Sequence, residues 1–474
     1  MAHLAGMNEH YGKKESQQKM INFQSPERIN NWLSIHRDEI IRDIQGLVQI
    51  PSVSIPDEYC PPYGQACRDA LSYMYALAEK HGYQSRDFDH YVGTVDFTRG
   101  DASIGVWSHL DVVPVPNPGE WVYPPFSCEL VENRYLIGRG VQDNKMTAVA
   151  FLHVMNCLRD LGIQLRHGYS LYMGTSEETG MEDCRYFVAH YPCPDLSLVP
   201  DTGFPICIGQ RGCMRFQISV PFEHNLTIHE YNNPSVTPEE IEAILDDGSV
   251  ITAKGDGTHV FNTAKTKNAV FDLLNQLSDH YPDEYEKLEA LKELTKDRDG
   301  NALGIKYSDS QSGSLQMAPT FVHAGDHKLT LQIYCILPVT ADADALLRAA
   351  SSRAGSIDAA LELISLRKGC LMSEKHPVVN VLTDTYHAVT GYDAAPFVMT
   401  GGNYAAILPN AFGFGPGMPG RKFPEHIFKP GHGDYHQCDE SEDVEHILNF
   451  MRVYAMSILS LEKMERAQIL PSGR

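Results

Sequence analysis

Apolar residues recur at helical spacing over about residues 26–50, at Ile29, Leu33, Ile40, Ile41, Ile44, Leu47 and Val48, which predicts an amphipathic helix. After a loop rich in Pro, Ser and Tyr, a second helix is expected over about residues 65–81, with Ala70, Met74, Leu77 and Ala78 on one face. The apolar runs then shorten. One passes through Ile104-Gly105-Val106-Trp107 and closes with Ser108-His109-Leu110-Asp111. A second, over residues 169–176, closes with Glu177-Glu178, and a third, over residues 196–200, closes with Asp201. Continuous apolar runs of this length predict strands of a buried sheet. Between the first two, Tyr135-Leu136-Ile137 leads through Gly138-Arg139-Gly140-Val141-Gln142-Asp143-Asn144-Lys145 into a helical pattern over about residues 146–161. That stretch reads as a strand-to-helix junction whose glycines free the backbone.

Strands alternating with helices predict an α/β layered domain, with ligands beyond the carboxyl ends of the strands. The pattern changes near Gly209-Gln210-Arg211-Gly212. Strands at residues 250–253 and 329–334, helices near 264–278 and 282–294, and a Gly/Ser/Asp loop at 309–314 predict a smaller α+β domain inserted into the first. The chain then returns with a helix over about residues 377–390, a glycine turn at Thr400-Gly401-Gly402-Asn403 and a last helix over about 441–461. The expected divisions are an N-terminal extension, 1–24; a first catalytic part, 25–211; the insertion, 212–370; and a second catalytic part, 371–474.

Composition narrows the function classes. An apolar fraction of 43% supports a real core, and a formal charge of −22 argues against a nucleic-acid partner. The 11 cysteines are odd in number and include no CxxC pair, which points to reduced thiols and a cytoplasmic location. No apolar stretch is long enough to span a membrane.

The candidate chemistry is a set of acids and histidines at strand ends. His109 and Asp111 stand two apart on a strand, so both point to one side, where a carboxylate can orient a metal-binding ring. Alone, such a pair more often means an ordinary core or surface histidine. Glu177 and Glu178 are adjacent, so their side chains diverge; one can face a metal and the other a substrate. Asp143 alone reads as a helix cap, and Asp201 as a turn residue. His432 and His436 share a loop, and either could be a ligand or surface decoration. Together they form an imidazole and carboxylate set without matched cysteines, which suits Zn²⁺, Mn²⁺ or Co²⁺.

These motifs, in order, resemble the dinuclear zinc metallopeptidase superfamily. They are Ser108-His109-Leu110-Asp111, Trp121 with Pro125-Phe126-Ser127, Gly138-Arg139-Gly140-x-x-Asp143-Asn144-Lys145 and Ser176-Glu177-Glu178-x-Gly180. The Gly401-Gly402-Asn403-Tyr404-Ala405 turn and the His436-Gln437-x-x-Glu440 ending look most like its bacterial dipeptidase branch. The resemblance implies a mixed, mainly parallel sheet flanked by helices, with the insertion acting as a lid. It implies two divalent ions per chain, zinc first, with Mn or Co as alternatives. His109 and Asp201 would complete one site, Glu178 and His436 the other, and Asp143 would bridge them through a residue whose following peptide bond is often cis. Asp111 would support His109, Glu177 would be the general base, and His259 would steady the oxyanion from the lid. The implied activity is a dipeptidase acting on small peptides. The alternatives are an N-acyl-amino-acid amidohydrolase, a carboxypeptidase and, remotely, a non-catalytic binding protein; the implied assembly is a monomer or homodimer. The chain departs from the family in its lid: the strand Ile333-Tyr334-Cys335-Ile336-Leu337-Pro338 lacks the Arg that usually grips a substrate carboxylate, and the family's lid Asn within an Asn-x-Val-Pro sequence is not visible either. Arg353, Arg367 and Arg421 are the candidate replacements.

Overall fold

The structure, a computed structural model, describes residues 26–229 and 233–470. The expected N-terminal extension, 1–24, lies outside them. The chain divides into two units: one runs through Ile208, then Met372–Phe397 and from Asn403 onward; the other is Gly209–Leu371 with Val398–Gly402.

The first unit opens with helix α1, residues 26–48, and α2, Gln65–Lys80. Strands β1 (Gln84–Phe88), β2 (Val92–Asp96) and β3 (Ser103–His109) follow, then β4 (Glu129–Val131), β5 (Tyr135–Ile137), α3 (Met146–Asp160), β6 (Gly168–Gly174), α4 (Glu182–His190) and β7 (Leu196–Val199). The main sheet runs β1-β2-β6-β3-β7 and continues through Ala411–Gly413 to Cys207–Gln210. Its centre is parallel: β3 pairs with β6 and β7, and Ala411–Gly413 pairs with β7. The edge strands β1 and β2 are antiparallel. This is the mixed sheet that the resemblance implied, parallel at its centre but antiparallel at both ends. The register sets His109 opposite Gly174, so β3 and β6 end level. Their residues are mostly apolar and buried, because both faces are covered.

α3 explains much of that cover. Every residue from Met146 to Leu158 is buried. A helix with no polar face belongs in a core, and α3 packs between the sheet and the C-terminal helix Val444–Leu461. That last helix starts later than its hydrophobic pattern predicts. Ser441–Asp443 pair as a strand with β5, and Asp443 then caps the helix by accepting the Glu445 N–H.

The second unit is α+β, as expected. Its four-stranded antiparallel sheet has the order Gln316–Gly325, Lys328–Leu337, Gly212–Pro221, Ala360–Arg367. In Gly212–Pro221, Met214, Phe216, Ile218 and Val220 are buried and alternate with less buried residues, the mark of a one-sided sheet. Helices Ala269–His280, Tyr285–Thr295 and Ala343–Gly355 supply the rest of the core. The first of these starts at Ala269 rather than near 264, because Asn268 accepts the Val270 N–H and caps it.

Candidate metal centre

His109 is the last residue of β3; Glu177 and Glu178 follow β6, and Asp201 follows β7. Three neighbouring parallel strands thus deliver them at their carboxyl ends, the expected place for a ligand in an open α/β sheet. Asp143 comes from the β5–α3 junction, and His436 from the loop before Ser441. One ligand atom each of His109, Asp143 and Asp201 lies within 4.8 Å of the other two, and the same holds for Asp143, Glu178 and His436.

Asp143 belongs to both groups, and its two oxygens face different partners. Oδ1 is 2.9 Å from His109 Nε2, and Oδ2 is 3.2 Å from His436 Nε2. His436 Nε2 is also 3.0 Å from Glu178 Oε1. His432 is engaged elsewhere, with Nδ1 2.6 Å from Asp439 Oδ2. The geometry therefore brings His436 rather than His432 to the cluster.

The electrostatics divide the carboxylates. Burial pushes Asp143 up, but hydrogen bonds from His109 and His436 outweigh it and hold the carboxyl well below its usual range. Burial raises Glu177 well above its ordinary value, with the Asp201 charge adding to the effect. Asp201 is raised by burial and then by Asp143, and Glu178 by burial despite its bond to His436. Burial pulls His436 down, but Asp143 and Glu178 more than reverse this and push it up to about 10. A buried site with this much negative charge and two imidazoles is short of cations. Its donors fit two divalent ions of the zinc type: His109, Asp143 and Asp201 would hold one, and Asp143, Glu178 and His436 the other.

The backing of these residues is long-range. Asp111 lies beside His109, its Oδ1 3.5 Å from Nδ1, while its backbone carbonyl is closer at 3.0 Å. Its two oxygens accept the N–H groups of Glu177 and Glu178, each at 3.1 Å. So Asp111 fixes the turn that carries the base candidate as well as the histidine. Glu440, which sequence reading left without a role, organises the Asp143 loop. Its Oε1 accepts the N–H groups of Gly140, Gln142 and Asp143 at 3.0, 3.0 and 3.1 Å, and its Oε2 meets Arg139 Nη1 at 2.6 Å. Asn144 donates to the Pro200 carbonyl at 2.6 Å, and the Asp143–Asn144 bond is cis, as the resemblance implied. Gly140 has φ 84°, and a Cβ there would meet Val112 Cγ1 at 2.5 Å, so this junction needs glycine.

Behind Glu177, the buried Asp183 accepts the N–H groups of Thr175 and Ser176 at 2.6 and 2.8 Å and the Tyr404 hydroxyl at 2.5 Å. Burial pushes Asp183 up to about 6. The Lys145 ammonium is drawn down to about 7 by burial and donates to the Ile50 carbonyl. Spacing alone could not find these groups: Glu440 is 300 residues from Gly140.

His259 lies in the second unit, half-buried, between the rings of Phe261 and Tyr334. Its Nδ1 accepts the Phe261 N–H at 3.3 Å, and burial lowers its proton affinity. Of the three arginines singled out, Arg353 donates to the Ala302 carbonyl and Arg421 to the Ser441 carbonyl. The Arg367 guanidinium lies against Gly402, with Nη1 buried and without a hydrogen-bond partner among the described residues.

The sequence matches the model of Peptidase family M20/M25/M40 across residues 105–460. A β-Ala-Xaa dipeptidase of Lactobacillus delbrueckii subsp. lactis is 25% identical over 479 residues, covering 90% of this chain and 97% of the relative. Human carnosine dipeptidase 1 has a similar fold, with a TM-score of 0.59 at 12% identity over 93% of this chain and 99% of that one. So does the Bacillus subtilis YXEP protein, described as a dinuclear metal binding peptidase, with a TM-score of 0.54 at 12% identity over 91% of this chain and 100% of that one.

Proposed function

This chain belongs to peptidase family M20/M25/M40, and on that premise we propose that it is a dinuclear metallo-dipeptidase acting on small peptides. The observation that carries the reading is Asp143, whose two oxygens serve two donor groups. His109 and Asp201 complete one ion's ligands, and Glu178 and His436 the other's. Zinc suits the donors best, with Mn or Co as alternatives. When bound, two such ions polarise the scissile carbonyl and lower the pKa of the attacking water.

The protein's own groups do the rest. Glu177 is the general base. It takes the proton of the attacking water and returns it to the leaving amine, for which a buried carboxyl of raised proton affinity is suited. Asp111 holds the Glu177 and Glu178 amides, so the base and its neighbour cannot drift apart. To His259 we assign the oxyanion-steadying role that the resemblance implies; burial lowers its proton affinity. The similarity to a β-Ala-Xaa dipeptidase over nearly the full length supports a dipeptide substrate. No disulfide links the cysteines among the described residues, which supports a reducing, cytoplasmic setting, and no helix among those residues is long and apolar enough to cross a membrane.

The test is a hydrolysis panel of dipeptides, N-acetyl amino acids and longer peptides on metal-reconstituted protein, with a chelator control. Dipeptides should turn over fastest, and chelation should stop them. Glu177→Ala should lose about 10²–10⁴-fold in kcat with its metal content unchanged. Preferential cleavage of N-acetyl amino acids would replace the dipeptidase reading with an amidohydrolase one.

A further inference from the structure

A second set of metal-type donors, sharing no residue with the centre, lies in the first unit. Asp43 comes from α1, His81 follows α2 as its C-cap, and His153 belongs to α3. One ligand atom from each lies within 4.8 Å of the other two. His153 is fully buried, with Nε2 2.8 Å from Asp43 Oδ2. The rings of His81 and His153 meet edge to face, their centroids 5.5 Å apart. His81 Nε2 and His153 Nδ1 are shut off from solvent with no hydrogen-bond partner among the described residues.

Packing alone does not account for this. A buried polar atom without a partner costs about 1–3 kcal/mol; His81 Nε2 is such an atom, and His153 Nε2, the nitrogen that faces Asp43, is the one an ion shared with Asp43 would take. Burial, followed by the neighbouring His153 and Lys80 charges, lowers the His81 proton affinity, which keeps a lone pair available. The end of α2 adds the negative pole of its helix. The surrounding charges are mixed. Lys80 Nζ is 3.8 Å from Asp43 Oδ1 but closer, at 3.1 Å, to Glu39 Oε1, and its side chain is 53% exposed, so it can rest on Glu39 alone. Glu39 also meets His36 at 3.1 Å, and Arg159 donates to the His81 carbonyl at 2.7 Å.

We propose that Asp43, His81 and His153 bind one divalent cation of the zinc class, separate from the two-ion centre, which fastens α1, the end of α2 and α3 to one another. Two imidazoles and a single carboxylate select zinc-type ions over Ca²⁺ or Mg²⁺, which need more oxygen donors. Three protein ligands leave a fourth position for water.

The experiment measures bound zinc per chain by elemental analysis after equilibration and removal of loose metal. Asp143→Ala, which removes the bridging carboxylate, should retain one zinc per chain, and adding His81→Ala should remove it. Wild type compared with His81→Ala alone should differ by the same one ion, a reading that does not depend on how the centre responds to Asp143→Ala. Asp43→Asn, which preserves side-chain shape, should also lose that ion. Trp32 gives an independent signal, since its ring centroid is 6.5 Å from that of His153. Co²⁺ should quench tryptophan fluorescence in Asp143→Ala, and both His81→Ala and Trp32→Phe should abolish that quenching. Equal zinc content with and without His81, in both backgrounds, overturns the proposal whatever the hydrolysis panel gives.

Discussion

The acid and histidine cluster of the first unit and the His259 turn of the second both entered through the family resemblance, yet the fold treats them differently. In the cluster, each candidate ligand has an atom within 4.8 Å of at least two others, and the backbone beneath is pinned by carboxylates. Asp111 pins residues 177 and 178, Glu440 pins 140, 142 and 143, and Asp183 pins 175 and 176. At the turn, the ring's hydrogen bond among the described residues is to the Phe261 N–H two residues on, and two aromatic rings supply the other contacts. The first arrangement is built to hold geometry before anything binds. The second leaves its histidine to packing.

The largest effect that could break this contrast is Asp143→Ala. Removing the residue shared by both donor groups should abolish hydrolysis and release both ions of the centre, measured as metal per chain. Loss of a mere helix cap would cost only about 0.5–2 kcal/mol of stability and leave metal content intact. Next, His259→Ala should lower kcat by about 10²–10³-fold, with KM and metal content little changed. A metal loss in that variant would show that the turn is part of the rigid centre after all.

Glu440→Gln sharpens the other side. It keeps the shape but weakens the acceptor for three N–H groups and unpairs Arg139. Changes to groups that orient metal ligands typically cost about 10–100-fold in affinity, so the variant should need that much more metal for half-maximal activity. Unchanged metal affinity would mean that the cis-linked loop holds itself.

The smallest effect concerns Asp183. Its carboxyl is pushed up to about 6 by burial, from an ordinary 3.8. The folded chain therefore binds this proton more tightly than the unfolded one. The contribution is fully present below about pH 4 and fades as pH rises to about 6, costing about 3 kcal/mol in total. Asp183→Asn, which cannot ionise, should flatten that part of the stability–pH curve measured by denaturant unfolding, with turnover changed less than in the other variants. A curve of unchanged slope would assign the titration to another group.

Much of the fold was legible because local pattern and final burial agree. The α3 stretch is apolar at nearly every position, and the strand runs before His109 and Glu177 are apolar because both sheet faces are covered. Boundaries failed where a cap or a strand pairing overrode periodicity. Asn268 delays one helix, and Ser441–Asp443 pair with β5 before the last helix begins. Among the motif residues, the alternative of His432 or His436 could not be decided from two histidines four apart. Asp439 takes the first and Glu178 the second.

By itself, the sequence determined the residue types at the strand ends, the glycines of the Asp143 junction and the alternation that makes an α/β sheet. These are local facts: a side chain's chemistry, a φ angle that only glycine tolerates well, and a burial pattern repeated along one element. Only the tertiary structure decided which acids and histidines come together. Glu440 reaches the Asp143 loop, and Asp43 reaches His81 and His153, through contacts that span tens to hundreds of residues. The same burial that brings those groups together removes water from around them. It raises Glu177 and lowers Lys145, so two ordinary ionisable side chains acquire properties that their place in the chain does not encode.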